Sequence, residues 1–245
     1  MIGIVVVSHS PALARAAVDL ALVMGGESPP EIRVAAGAAA GATGTDAVAI
    51  AAAIDEVASP DGVLVVMDLG SAILSAGMAL EFSHADVPVL LSDAPFVEGL
   101  IAAVVVAGAG GSLDAVNAEA RRALGGKTAQ LEGTGRAAPA AYSTTIPDAV
   151  APAGAVTFEA VIANPSGLHA RPAAVFVKTV GRYDADVRVT ELGSGKAAAS
   201  GASLISLMSL GVTQGTRVRV EATGPDAEAV ARELEELVAD GFGER

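Results

Sequence analysis

Asn164-Pro165-Ser166-Gly167-Leu168-His169-Ala170-Arg171-Pro172-Ala173 puts a histidine, a guanidinium and a helix start side by side. Before it, Phe158, Ala160 and Ile162 alternate as one face of a strand; after it, Ala173, Val177 and Val180 recur at helical spacing. His169 therefore stands where a strand hands over to a helix. Pro172 suits a first helical turn, whose N–H groups have no partner inside the helix. Such a terminus attracts anions, and Arg171 adds a forked donor matched to phosphate. A free imidazole is mostly neutral at pH 7, so one ring nitrogen can attack phosphorus. The chemistry predicted is a phosphohistidine, with a simple capping histidine as the alternative.

Outward from this stretch, Val187 and Val189 mark a second strand and Lys196 to Ser200 a third, joined by a glycine turn at Gly193-Ser194-Gly195-Lys196. That turn lacks the upstream glycine spacing of a P-loop and reads as a hairpin. Leu204, Leu207, Met208 and Gly211 describe a short helix with a glycine stop; Val218, Val220 and Ala222 form a fourth strand; Val230, Leu234, Leu237 and Val238 stripe a last helix. Helices on one face of an antiparallel sheet make an α+β open-faced sandwich over residues 155–245. Residues 126–154, rich in Gly, Ala, Pro, Ser and Thr without apolar periodicity, are expected to be a flexible linker.

The first half, residues 1–125, follows another rhythm. Ile2 to Val7 is a continuous β-branched run of the kind buried on both faces of a parallel sheet. It ends in Ser8-His9-Ser10-Pro11, where Ser10 can cap a helix striped by Leu13, Ala17, Leu20 and Met24. Strands at Glu31 to Ala35, Val63 to Met67 and Val87 to Leu91 alternate with helices from Thr45 or Asp46 to Ala58, through Leu80, from Val97 to Ala107 and from Leu113 to Leu124. This is the pattern of an α/β doubly wound, mainly parallel sheet, which binds ligands at the carboxyl ends of its strands. His9 and Asp68 both fall there. A carboxylate bonded to one ring nitrogen would fix the tautomer and free the other nitrogen to attack; a plain helix cap is the alternative role for Asp68. His84 reads as a loop histidine, and Gly108-Ala109-Gly110-Gly111 fails as a dinucleotide loop because Leu113 takes the third glycine's place.

Two resemblances carry these readings further. Gly167-Leu168-His169-Ala170-Arg171-Pro172-Ala173 resembles the active-site signature of HPr, the histidine phosphocarrier of the phosphoenolpyruvate:sugar phosphotransferase system. Ile4-Val5-Val6-Val7-Ser8-His9-Ser10, Gly44-Thr45-Asp46-Ala47-Val48, Met67-Asp68-Leu69-Gly70-Ser71-Ala72 and Ala94-Pro95-Phe96-Val97-Glu98-Gly99 are similar to the mannose-type IIA domain. The order of modules resembles the phosphotransferase subunit of phosphoenolpyruvate-dependent dihydroxyacetone kinase. The resemblance implies that enzyme I, directly or through a separate HPr, phosphorylates His169, and that His169 passes the group to His9, supported by Asp68. It implies next that His9 serves ADP on the nucleotide-binding kinase subunit, beside a dihydroxyacetone-binding subunit. Arg171 is expected to stabilise the phosphoryl group, with binding donors at Ser166 and Ala170 around His169 and at Ser10, Gly70 and Ser71 around His9. The segment Ser203-Leu204-Ile205-Ser206 looks like the HPr stretch with a regulatory serine, here Ser203, and a docking surface, here the exposed part of Leu204 and Ile205. A helix cap is the alternative role for Ser203. A homodimer through the first domain is a further implication.

Composition agrees and excludes. A net charge of −13 argues against nucleic acid or an anionic membrane as partner. The absence of cysteine removes disulfides, thiolate catalysis and thiolate metal sites. Met1 to Val7 lacks a basic signal-peptide start, and Gly99 to Gly111 is too short to span a bilayer, so a cytoplasmic protein is expected. No metal or cofactor site is expected on this chain. Because it stops at Arg245 without an enzyme I-like domain, its donor is expected to be a separate protein. The competing readings are a phosphocarrier for a mannose-type sugar permease and a regulatory module read by its phosphorylation state.

Overall fold

Strand β1 (Gly3–Ser8) is buried at every position because it lies between two parallel neighbours. In the computed structural model, which describes residues 1–26, 28–38, 42–132, 155–193 and 195–244, the sheet of the first unit runs β2-β1-β3-β4. Its other strands are β2 (Ile32–Ala36), β3 (Val63–Met67) and β4 (Val89–Ser92), all parallel. A parallel pair needs a crossover, and each crossover here is a helix. These are α1 (Pro11–Gly25), α2 (Ala47–Val57) and α3 (Gly70–Phe82), followed by α4 (Phe96–Gly108) and α5 (Leu113–Arg121). Val5, Val7, Val63, Val65 and Met67 pack with Ile50, Ile54 and Val57 of α2 and with Ala72, Ala76 and Ala79 of α3. The other face, with Ile4, Val6, Leu64 and Val66, is equally buried, and α1 packs against α4.

The helix starts follow their capping residues. Ser10 Oγ accepts from Leu13 N–H at 3.3 Å and Asp46 Oδ1 from Val48 N–H at 2.9 Å. The stripe expected on α1, however, is displaced by one position. Its buried residues are Ala14, Ala17, Ala21 and Gly25, whereas Leu13 and Leu20 are 43% and 45% exposed. Close packing of α1 on α4 selects small side chains: a Cβ on Gly25 would lie 2.8 Å from Val104 Cγ1. Leucines at the seam would hold the two helices apart.

The second unit begins at Gly125. Its sheet runs β5-β8-β6-β7, antiparallel throughout, from β5 (Val156–Val161), β6 (Asp186–Glu191), β7 (Ala199–Ser200) and β8 (Arg217–Thr223). Val218, Val220 and Ala222 of β8 alternate inward beneath α7 (Ala170–Val180), α8 (Leu204–Ser209) and α9 (Ala227–Ala239), whose buried Phe176, Leu204, Leu207 and Leu234 complete the core. On the open face Glu159 pairs with Arg217 and Arg219 at 2.9 and 2.8 Å. The sandwich is as expected, but the third strand is paired only at Ala199 and Ser200. Beyond that, the stretch read as a linker opens with a helix, α6 (Gly125–Glu132), that packs on α8. Residues 133–154 of that stretch, and Ser194 of the hairpin, lie outside the described residues.

Gly3 shows how tightly β1 is held. A Cβ there would stand 2.7 Å from Val57 Cβ and collide with the Val57 carbonyl. Gly3→Ala is therefore expected to cost the first unit about 1–3 kcal/mol, as overpacking does. Denaturant unfolding should show an earlier first-unit transition and an unchanged second one.

Candidate functional site

The β1–β3 register pairs Val7 with Met67, so the residues that leave the two strands emerge side by side. Asp68 N–H donates to the Val7 carbonyl at 3.2 Å, which carries the pairing one residue further. His9 is thereby set against Asp68. Its ring Nδ1 lies 2.9 Å from Asp68 Oδ1, and its backbone N–H donates to Oδ2 at 2.9 Å. Ser8, fully buried, donates its hydroxyl to the same Oδ2 at 2.9 Å and accepts from Ser10 N–H at 3.0 Å. The His9 carbonyl accepts from Gly44 N–H at 3.1 Å, which fixes the other side of the residue.

Burial pushes the Asp68 carboxyl upward, yet hydrogen bonds from the His9 N–H, the His9 ring and the Ser8 hydroxyl outweigh it and hold the group below the usual carboxylate range. Asp68 is therefore ionised at neutral pH. A carboxylate only accepts, so Nδ1 carries the proton and Nε2 presents its lone pair. Opposite Nε2, at 2.8 Å, stands the Ser71 hydroxyl. Ser71 is the second residue of α3, and α3 opens on Leu69 without a side-chain cap, leaving the N–H groups of Gly70 and Ser71 for an anion. Asp68 does accept from Leu69 N–H at 2.8 Å, but the cap reading misses most of what it holds. The His9 side chain remains 19% exposed against 8% for Asp68, so the nucleophilic edge is reachable while the orienting group is shielded.

The second histidine is presented differently. His169 is the N-cap residue of α7 and is exposed, as is Arg171. Its loop is held by backbone rather than by its ring. Leu168 N–H donates to the Val212 carbonyl at 3.1 Å, and Gly167, at φ 62°, leaves no room for a Cβ against that same carbonyl. Asn164, buried, donates from Nδ2 to the Gly167 carbonyl and to Glu244 Oε2, each at 2.9 Å. Hydrogen bonds from Asn164 and Ser166, aided by the charge of Arg171 and opposed by burial, keep the Glu244 carboxyl below its usual range. The donors expected at Ser166 thus face a carboxylate in this structure. The first-turn N–H groups of α7 at Ala170 and Arg171 have no partner inside the helix.

The model of the PTS HPr component phosphorylation site family matches residues 156–240, and that of the PTS system fructose IIA component family matches residues 3–117. Between them they take in both histidines. The chain joins a IIA domain to an HPr domain. Over its whole length it is 37% identical to the phosphoryl donor subunit of PEP-dependent dihydroxyacetone kinase from Klebsiella michiganensis and 37% identical to that from Escherichia coli. It spans about half, 51%, of the length of each. Among solved structures it resembles the phosphocarrier HPr of Bacillus anthracis, with 31% identity over 35% of this chain and 95% of that one and a TM-score of 0.31.

Not every expected site residue is where it was expected. Ser10 caps α1 and lies next to His9, and Ser203 caps α8, its hydroxyl accepting from Ser206 N–H at 3.0 Å. Leu204 and Ile205 of the HPr domain are not exposed: they retain 1% and 9% of their surface, Leu204 in the core and Ile205 beside α6. His84 is an exposed loop residue whose N–H donates to Asp55. Ser71, expected beside His9, stands there and brings its hydroxyl to Nε2 as well; Ser8, Asn164 and Glu244 carry no role expected from the sequence. The alternation Ser8-His9-Ser10 at a strand end was the one signal in the sequence that pointed to any of them.

The depressed Asp68 carboxyl predicts an acid signature. An Asp held low contributes stability that is present above its unfolded value of about 3.9 and is lost as pH falls through its folded value. Between pH 7 and pH 3 the IIA domain should therefore lose more stability in the parent than in Asp68→Asn, measured by denaturant midpoints at both pH values.

Proposed function

We propose that the chain is a phosphohistidine relay of the phosphoenolpyruvate-dependent dihydroxyacetone kinase, receiving phosphoryl groups on His169 and delivering them from His9. The observation that carries this is the clamped ring of His9, with Asp68 on Nδ1 and Ser71 at Nε2. In the transfer step Nε2 attacks the phosphorus carried by His169. The new N–P bond forms as the old one breaks, and the electron pair returns to the His169 ring. Nδ1 keeps its proton, and Asp68 offsets the positive charge that spreads over the phosphorylated imidazole. The Ser71 hydroxyl turns from Nε2 to a phosphoryl oxygen, joined by the free N–H groups of α3. Catalysis is then mostly positioning and charge stabilisation.

In this reading phosphoenolpyruvate acts through enzyme I, with or without a separate HPr, and ADP sits on the nucleotide-binding kinase subunit, next to the dihydroxyacetone-binding one. The chain works in the cytoplasm, as a homodimer through its IIA domain and with no cofactor of its own. Leu69, Ile73, Leu74 and Met78 of the α3 segment are exposed beside Ser71, and an apolar face of this kind supports a protein, rather than a small molecule, as the acceptor from His9. Among the described residues no helix is long and apolar enough to cross a membrane.

Incubation with phosphoenolpyruvate and enzyme I, read by intact mass, tests the order of transfer. The parent should gain two phosphoryl groups, His9→Ala one, and His169→Ala none or one slowly. Full-rate labelling of His9 in His169→Ala would remove the HPr domain as its obligatory donor.

A further inference from the structure

Helix α8 carries two apolar stripes. Leu204 and Leu207 fill the core of the HPr domain, while Ile205 and Met208 lie against α6. A Cβ on Gly125 would stand 3.5 Å from Ile205 Cγ2, one on Gly126 would stand 3.9 Å from Met208 Cβ, and Gly126 is buried. Yet α6 belongs to neither family domain, since the matched regions end at residue 117 and resume at 156. It comes from the stretch between them and covers one face of the second.

That face adjoins the exposed histidine. From Met208 the chain runs through Leu210 and Gly211 to Val212, whose carbonyl holds Leu168 beside His169. Four residues span at most about 14 Å. A protein donor that hands a phosphoryl group to His169 covers about 800 Å² of this domain, a round patch about 16 Å in radius. Such a patch is about 32 Å across, so a stripe that begins within about 14 Å of the Val212 seat of the His169 loop lies inside its reach.

The footprint of a donor at His169 takes in the Ile205–Met208 stripe, as the resemblance of this segment to HPr also implies; we propose that α6 is a resident cover over it. The proposal rests on the phosphocarrier reading above and adds a control to it: the donor must displace α6 before transfer. The cover is built to leave. It has eight residues, and isolated helices shorter than about 12–15 residues are marginal in water, so packing on α8 is what keeps it helical. It also opens with two glycines, the weakest helix formers apart from proline. Being part of the same chain, it returns at an effective concentration on the order of millimolar. Competition of this kind sets how fast His169 is charged without touching the chemistry.

A cross-link tests it. The chain has no cysteine, so Gly126→Cys with Met208→Cys can form a single disulfide, and the 3.9 Å between the two Cβ positions lies within the range of about 3.5–4.5 Å that disulfides adopt. In the full chain carrying His9→Ala, so that only His169 is labelled, the initial rate of charging by phosphoenolpyruvate and enzyme I is compared before and after reduction. The oxidised form should charge about tenfold more slowly, within the range of ordinary coupling between sites, and reduction should restore the rate. Gly126→Glu, which puts a charge against Met208 from outside the HPr domain, should charge faster than its parent. Failure of the disulfide to form, equal rates before and after reduction, or no acceleration by Gly126→Glu would each overturn the cover. An uncharged parent in the same assay would refute the phosphocarrier reading itself.

Discussion

The carboxylate of Asp68 on Nδ1 of His9 is the interaction on which the first half of the molecule depends. It exists only because β1 and β3 are adjacent, parallel and in register, so that Ser8-His9 and Asp68 leave the sheet at the same edge. A slip of one residue would send Asp68 to the other face. Gly3 resists that slip, because β1 passes too close to Val57 there for Ile2 or Ile4 to take its place. Core packing and site geometry are here a single constraint: the seat that holds β1 in register also sets a distance of 2.9 Å between a ring nitrogen and a carboxylate.

The two histidines are held by opposite means. His9 is locked through its ring, by Asp68 on one nitrogen and Ser71 at the other. His169 is locked through its backbone, by the seat of Gly167 and Leu168 on the Val212 carbonyl, and its ring is exposed. A carrier that meets several proteins needs an accessible ring on a fixed loop. A carrier that delivers to one acceptor gains more from a defined nucleophilic edge. The HPr domain has the first arrangement and the IIA domain the second, which supports the proposed transfer from His169 to His9.

Much of this was legible in the sequence because it rests on local patterns. The valine runs marked buried parallel strands, and Ser10, Asp46 and Ser203 marked helix starts. The juxtaposition of His9 with Asp68 followed from topology alone. What escaped was decided by tertiary packing. The α1 stripe falls on Ala14, Ala17, Ala21 and Gly25 rather than on Leu13 and Leu20, because the close approach of α4 rewards small residues and no single-helix pattern records that approach. Helix α6 escaped because Gly125-Gly126 announces a loop; it is helical where α8 supports it. The buried Ser8 hydroxyl and the Glu244 carboxylate near Arg171 depend on partners 60 and 80 residues away in sequence, Asp68 and Asn164 respectively.

The position of the phosphoryl group on His9 bears most directly on the clamp. Long-range proton–nitrogen correlation spectra of the imidazole rings, recorded on the parent charged by phosphoenolpyruvate and enzyme I, with the His9 signals identified by their absence from His9→Ala, distinguish the two ring nitrogens. With Asp68 holding Nδ1–H, the phosphorus must be bonded to Nε2 of His9, and Nδ1 must still carry its proton. A phosphoryl group on Nδ1 would mean that the carboxylate gives way before transfer, and the orienting role of Asp68 would be wrong.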